Sequence, residues 1–408
     1  MVDSVSLIAG TTIGAGILAL PAVTRPIGLV PSTVLMIAVW GYMAVSGLLV
    51  AEANLYVRQQ VDRAEVGLSA TAEYLLGKSG AIAFSLLYLF IHYALLVAYT
   101  ARGGDILAIA LSQISFLPTQ IIPLQVIPLW CGHLFFTLLL GALLIFGKEG
   151  CISRVSTALL LATLVSFIAI MVLAAGRIES FSLFGLVPET VSWQALGSVV
   201  PVMFVAFVYH NVVPVVVTRL AQDVAQIRKS VLIGSFIPLF LFLVWNSVIL
   251  LSPGLGGSGE DPIVQLQVGA EGSHLATAIS AFSELAVMTS FIGFVYGLLG
   301  FFEDIFAQTF SSHYARIVKF ALVFLPPLFF SVVSPTIFFD AIEIAGAFGV
   351  SILFGILPAL MVWRTRSASE EAIAQRLVPG GKATLIGVAG FAIAVIAVCG
   401  CIRISPVA

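Results

Sequence analysis

The sequence predicts an all-α polytopic membrane protein of eleven transmembrane helices, and three observations predict it. Of the 408 residues, 60% are apolar and 9% charged, with a mean hydropathy of +1.13; soluble domains carry about 25% charged residues. The apolar residues gather in runs close to the ~20 residues a helix needs to cross the hydrocarbon core. The basic residues fall in alternate breaks between those runs, as the positive-inside rule requires. This composition excludes a soluble globular protein, a disordered chain and a fibrous one. The surroundings this composition implies are the lipid bilayer; the net charge of −2 hides an uneven distribution and says little about partners, and no basic block suggests nucleic acid.

In chain order the runs cover 5–27, 31–54, 80–112, 125–146, 151–175, 194–218, 230–251, 274–301, 317–335, 341–363 and 383–403. Polar and turn-forming stretches separate them, among them RQQVDR at 58–63, GKEG at 147–150 and GLGGSGED at 254–261. With a cytoplasmic N-terminus, the cytoplasmic connections hold 14 of the 18 basic residues, including Arg58, Lys148, Arg228, Arg316, Lys319 and Arg366. The connection 252–273 holds Glu260, Asp261 and Glu271 and no Lys or Arg, as an external loop should. The expected C-terminus is therefore external. The first run lacks a positive n-region and is broken by Gly10, Gly14 and Gly16, so it reads as a broken span and not a cleaved signal peptide. Four cysteines without metal-ligand spacing imply neither a disulfide framework nor a zinc site.

Two spans carry interruptions. The first contains GTTIGAG at 10–16 and then Pro21; the sixth contains Pro201 and then YHNVVP at 209–214. Non-helical backbone at membrane depth survives only where protein or a water-filled cavity satisfies it. Pro214 removes a helical hydrogen bond and crowds the carbonyl of His210. Interrupted helices at matching places in two halves point to a transporter's binding site. The halves are spans 1–5, about 5–175, and spans 6–10, about 194–363. Five being odd, the second half is inverted, and the eleventh span lies outside the repeat; the whole is one transmembrane domain over 1–403. Gly10 and Gly14 also have the four-residue spacing of simple helix packing, which two matching interruptions argue against.

The stretches GTTIGAGILALP (10–21), PVMFVAFVYHNVVP (201–214), IRKSVLIGSFIPLFLFLVW (227–245) and MTSFIGFVYGLLGFFED (288–304) resemble the hydroxy/aromatic amino acid permeases of the amino acid–polyamine–organocation superfamily. The resemblance runs from the first span to about the tenth. It implies the leucine-transporter-type five-plus-five fold and transport of tyrosine or tryptophan with a proton, in a bacterial inner membrane. Where the family has glycines flanking the histidine of span six, this chain has Val208 and Asn211.

Candidate substrate-binding residues follow from the two breaks: Thr11, Thr12, Ile13, Gly14, Ala15 and Gly16 in the first, and Phe204, Phe207, Tyr209, His210 and Asn211 at the second, with Tyr99 of span three as a wall. Half-helix N-termini favour the substrate carboxylate, and freed carbonyls near Ala9, Gly10 and Phe207 favour its ammonium. For coupling, Glu284 lies about ten residues into span eight, on a face with Thr277 and Ser280. An acidic group at that depth is a candidate proton carrier, or a carboxylate bonded to another helix. In sodium-coupled relatives, hydroxyls of this span and carbonyls of the broken first span coordinate sodium, so the resemblance implies that Thr289 and Ser290 either hold sodium or help close a proton-coupled site; their hydroxyls can equally bond their own helix. No cofactor is expected beyond a proton or a sodium ion. Arg102 and Asp105 have the spacing of an ion pair. The sequence has no His-Glu-x-x-His and no P-loop, so an intramembrane protease and an ATP-driven pump are disfavoured.

Overall fold

A computed structural model describes residues 1–14, 16–61, 66–112, 128–175, 193–251, 274–306, 313–334, 337–368 and 376–404. The described chain is helical: α1 Val2–Thr12, α2 Gly16–Thr24, α3 Leu29–Gln60, α4 Leu68–Ser112, α5 Leu129–Phe146, α6 Glu149–Ala175, α7 Trp193–Ala206, α8 Val213–Arg219, α9 Val224–Leu251, α10 His274–Phe306, α11 His313–Val333, α12 Ile337–Ile344, a π-helix Ala345–Ile356, α13 Leu357–Ala368 and α14 Lys382–Ile404. Among the described residues, nine helices are long and apolar enough to cross a membrane, or ten when α1 with the following Gly16–Ile27 counts as one bent span. Where the ninth span is expected stands a shorter apolar helix, Ile317–Val333.

The third run starts close to its expected position of 80: Gly77, with φ +77° and ψ −174°, is non-helical and separates a short helix beginning at Leu68 from the spanning helix that follows it, a conformation only glycine adopts without strain. The tenth is not a plain α-helix: twelve residues, Ala345–Ile356, wind as a π-helix. Just beyond it, Pro358 has no N–H to offer the Phe354 carbonyl four residues back.

The chain divides into two compact units. Unit 1 is 1–91, 180–251 and 343–408; unit 2 is 92–179 and 252–342. Each draws on both sequence halves: spans one, two, six and seven lie in the first, with ten and eleven, whereas four, five, eight and nine lie in the second.

Within unit 1, polar groups tie helix ends together. The Thr24 hydroxyl donates to Asn246 Oδ1 (2.7 Å), and Asn246 Nδ2 donates to Ser32 Oγ (3.2 Å), joining the end of α2, the start of α3 and α9. Between α8 and α9, Asp223 caps α9 by accepting the Gln226 N–H at 3.0 Å, and this bond holds its carboxyl below the usual aspartate range. Buried in the same unit, Glu52 of α3 accepts from Arg366 Nε (2.6 Å) and Nη2 (2.9 Å) and from the Leu377 N–H (3.0 Å). Arg366 also donates to the carbonyls of Val378 (3.0 Å) and Gly380 (2.9 Å), and Arg228 to those of Arg376 (2.8 Å) and Leu377 (3.0 Å). The non-helical stretch 376–381 before α14 is thus held by two arginines and one carboxylate, which supply the partners its own backbone lacks.

Unit 2 has an aromatic core. Phe291 of α10 packs edge-on to Phe136 of α5 (5.2 Å) and beside Phe324 of α11 (6.1 Å), while Phe282 meets Phe167 of α6 (5.8 Å).

Candidate functional site: two facing helix breaks

The first break falls where three glycines in seven residues weaken the helix. α1 ends at Thr12, the Ile13 N–H closing on the Ala9 carbonyl at 3.0 Å, and α2 restarts at Gly16 with the axis turned by 54°. The second falls between Ala206 and Val213: α7 stops at Ala206, a 3₁₀ turn covers His210–Val212, and α8 begins at Val213. Pro214 occupies the first turn of α8, where its missing N–H costs nothing. It therefore starts the second half-helix, and the unwinding lies upstream of it. Val208 and Asn211, in place of glycines, still permit an interruption of six residues, 207–212.

The two breaks meet. α2 packs against α7 and α1 against α8, so each half-helix lies along the opposite half of the other broken span. The contact is tight where the first break ends and the second begins: a Cβ added at Gly16 would lie 2.9 Å from the Ala206 Cα and 3.4 Å from its N. Only glycine permits that approach. Beyond Ala9 the last carbonyls of α1 lose their intrahelical partners; at the start of α2 the Ile17 N–H bonds the Gly14 carbonyl at 3.2 Å, and the N–H groups of the first turn have no intrahelical acceptor. A partial negative and a partial positive end thus face one short gap, which suits a zwitterion.

The aromatic side chains at the second break pack into the interior of unit 1. Phe204 is fully buried and stacks on Tyr42 (5.2 Å, 12°); Phe207 is fully buried against Phe242 (5.2 Å). Tyr209 reaches α3, its hydroxyl donating to the Met43 carbonyl at 3.2 Å over Gly47, where any side chain would strike the ring. His210 is fully buried between Tyr209 (4.8 Å) and Phe354 (4.6 Å). Ser46 Oγ donates to the carbonyl of Phe354, and its oxygen lies 3.1 Å from His210 Nε2. With its one proton committed to Phe354, the serine accepts, so the histidine donates through Nε2. Phe354 is the residue four before Pro358; Ser46 supplies the bond that the proline cannot. A chain of contacts therefore runs from the second break through His210 and Ser46 to the π-helix.

Sequence reasoning missed this link, the buried Glu52–Arg366 pair and the π-helix. Pro358 and Glu52, each inside an apolar run, were the available signals. The hydroxyls of Thr11 and Thr12 donate to the carbonyls of Leu7 (2.7 Å) and Ile8 (2.8 Å) of their own helix. Their backbone, and that of Ile13, Gly14 and Gly16, forms the break. Asn211 is exposed at the second break. Ala15 lies outside the described residues.

The remaining candidates belong to unit 2. Tyr99 is buried and meets Phe294 edge-on at 5.6 Å. Glu284 of α10 has one carboxylate oxygen, Oε2, enclosed and without a hydrogen-bond partner among the described residues, and Arg102 acts on it electrostatically. The Arg102 guanidinium lies over the Phe338 ring at 5.6 Å, while Asp105 Oδ1 is 3.0 Å from His133 Nε2. Asp105 therefore joins α4 to α5. Thr289 donates to the Ala286 carbonyl of its own helix at 2.9 Å. Among the described residues, no group of three or more His, Cys, Asp and Glu side chains is placed to hold a metal ion.

The sequence profile of the tryptophan/tyrosine permease family matches residues 1–399. The chain belongs to that family. It is 30% identical over 397 residues to the tyrosine-specific transport system 1 of Haemophilus influenzae, covering 94% of this chain and 92% of the relative. To the tryptophan-specific transport protein of the same organism it is 29% identical over 377 residues, covering 90% and 88%. The crystal structure of MhsT in complex with L-phenylalanine matches it with a TM-score of 0.66 at 16% identity, over 98% of this chain and 97% of that one. This permease therefore has the leucine-transporter-type fold, and its relatives are transport proteins and not enzymes.

Proposed function

We propose that this permease is a secondary active symporter that imports tyrosine or tryptophan across the inner membrane of a bacterium, driven by protons. The observation that carries the reading is the meeting of the two broken spans at Gly16 and Ala206 in a chain of this family. Backbone amides of Gly14 and Gly16 take the carboxylate, and carbonyls of the α1 end beyond Ala9 and of Phe207 take the ammonium. The fully buried Phe204, Phe207, Tyr209 and His210 act by fixing the second break and not by touching the ring.

Glu284 is the proposed proton carrier: a carboxylate inside a span, with an oxygen unpartnered among the described residues and an arginine as its charged neighbour. Glu284→Gln is expected to lower proton-driven accumulation at least tenfold while leaving exchange of internal for external substrate within about twofold, because exchange needs no return of the empty carrier. Uptake and counterflow into proteoliposomes separate the two. Wild-type accumulation and pH dependence in Glu284→Gln would remove the carboxylate from the mechanism. Sodium-dependent uptake weakened by Thr289→Ala and Ser290→Ala would replace the proton with sodium.

The basic residues assign a cytoplasmic N-terminus and an external C-terminus. In a cysteine-free background, Lys229→Cys should react with an impermeant thiol reagent only from inside, and Glu260→Cys only from outside. The reverse pattern would overturn the orientation.

A further inference from the structure

Unit 2 holds a pair of ionisable side chains that the transport reading does not use. His133 of α5 is fully enclosed, and its Nε2 lies 3.0 Å from Oδ1 of Asp105 on α4, whose side chain is 26% exposed. An ionised aspartate only accepts, so Nε2 is the nitrogen that carries the proton. The two helices meet closely here: a Cβ added at Gly104 would lie 2.6 Å from the His133 Cα and N. The sequence offers Asp105 another partner, Arg102, one turn earlier on its own helix. His133 takes the carboxylate instead.

Arg102 is in turn the charged neighbour of Glu284. The packing of α4 along α10 agrees. Tyr99 meets Phe294 at 5.6 Å; further along α4, a side chain at Gly103 would strike the ring of Phe136, which packs on Phe291 at 5.2 Å. The order reverses between the two helices, so they run antiparallel, and Arg102 and Glu284 lie on the same side of the Tyr99–Phe294 contact. His92 of α4 lies against Phe294 as well, at 5.0 Å. Of the helices packed around this region, α6 from 155 to 175 and α11 from 320 to 333 contain no Asp, Glu, Lys, Arg or His, and α5 contains only His133. On α10 itself the nearest such residues to Glu284 are His274 and Glu303, and Asp340 of α12 is exposed. The charges that act on one another here are therefore Glu284, Arg102 and Asp105, with His133 deciding the partner of the last.

We propose that His133 is a positioning residue for proton coupling: by holding Asp105 toward α5 it keeps the Arg102 charge for Glu284, and that charge drives the carried proton off the carboxylate. The proposal rests on Glu284 as the proton carrier. The proton comes from external water and leaves to cytoplasmic water; His133 and Asp105 exchange none. Without the histidine, Asp105 turns to Arg102 one turn away, the two charges cancel, and Glu284 loses its counter-charge. A carboxyl without a neighbouring cation keeps its proton to higher pH.

The test is uptake of labelled tyrosine and tryptophan by the full-length protein in proteoliposomes, its pH profile recorded with the proton gradient held at constant size. His133→Ala, or His133→Met should the first fail to fold, should move the alkaline midpoint up by about one pH unit, and Arg102→Gln should move it the same way. Asp105→Asn alone should leave the midpoint in place, because Arg102 keeps Glu284. Added to His133→Ala, Asp105→Asn should bring the midpoint back to that of the wild type. His133→Gln, which still offers Asp105 an N–H, should not move it. A merely structural pin between α4 and α5 makes the opposite forecast, with Asp105→Asn as harmful as His133→Ala and the double variant unrestored. An unmoved midpoint in the histidine variants, or a shift that Asp105→Asn does not reverse, would overturn the proposal. Glu284→Gln separates the two levels: if it has lost the pH dependence, such a result overturns the role of His133 alone, and if it keeps the dependence, the role of His133 falls with that of Glu284.

Discussion

Glu52→Ala is expected to destabilise the protein by about 3–5 kcal/mol, the cost of leaving a buried charge without its partner. Arg366 and Glu52 are both nearly enclosed, with side-chain exposures of 7% and 4%, and together they hold the chain at 376–381. Removing the carboxylate strands the guanidinium and leaves the Leu377 N–H without an acceptor. Arg366→Ala should cost as much for the mirror-image reason. Replacing both residues by methionine should be milder than either single change, because the double variant strands no charge, although it still frees the backbone of 377–380. Thermal unfolding of purified protein, followed by the loss of monodisperse elution, ranks the four proteins. A double variant worse than both single variants would show that the loop contacts, and not the ion pair, dominate.

Gly16→Ala is expected to abolish uptake. Its single added methyl would lie 2.9 Å from the Ala206 Cα and 3.3 Å from its Cβ, and backbone cannot yield as the tip of a flexible side chain can. Either α2 moves off α7 or the break reshapes, and both separate the half-helix ends that make the site. Gly10→Ala provides the contrast: a Cβ there meets no described atom within 4 Å, so packing survives. Any loss of uptake in Gly10→Ala then reports on the approach of substrate to the backbone. Uptake and surface expression measured together would distinguish these outcomes, and normal kinetics in Gly16→Ala would contradict the close contact.

The spans, the two interruptions and the family were legible in the sequence because each is written in local composition: apolar runs, glycine clustering, and motifs contiguous in the chain. The partnerships were not. Glu52 and Arg366 are 314 residues apart, and neither apolar run reveals the other. Pro358 stood in plain view, but the partner of the Phe354 carbonyl it cannot serve, Ser46, required knowing that α3 passes beside it. The side chains at the second break illustrate the same limit. Phe204, Phe207, Tyr209 and His210 stand out by proximity to the break, but side-chain direction is decided by the neighbouring helices, which hold all four in the interior of unit 1. The hydroxyls of Thr11 and Thr12 turn back onto their own helix, an option open to any helical threonine, so only the backbone around them is left to meet a substrate.

The most direct test is uptake of labelled tyrosine and tryptophan into sodium-free proteoliposomes holding the purified protein, with an inward proton gradient imposed and then collapsed by an uncoupler. Accumulation of one or both above the external concentration, lost on uncoupling and absent from liposomes bearing Gly16→Ala protein, is the predicted result. Failure to accumulate either amino acid under a proton or a sodium gradient, by protein that is folded and correctly inserted, would contradict it.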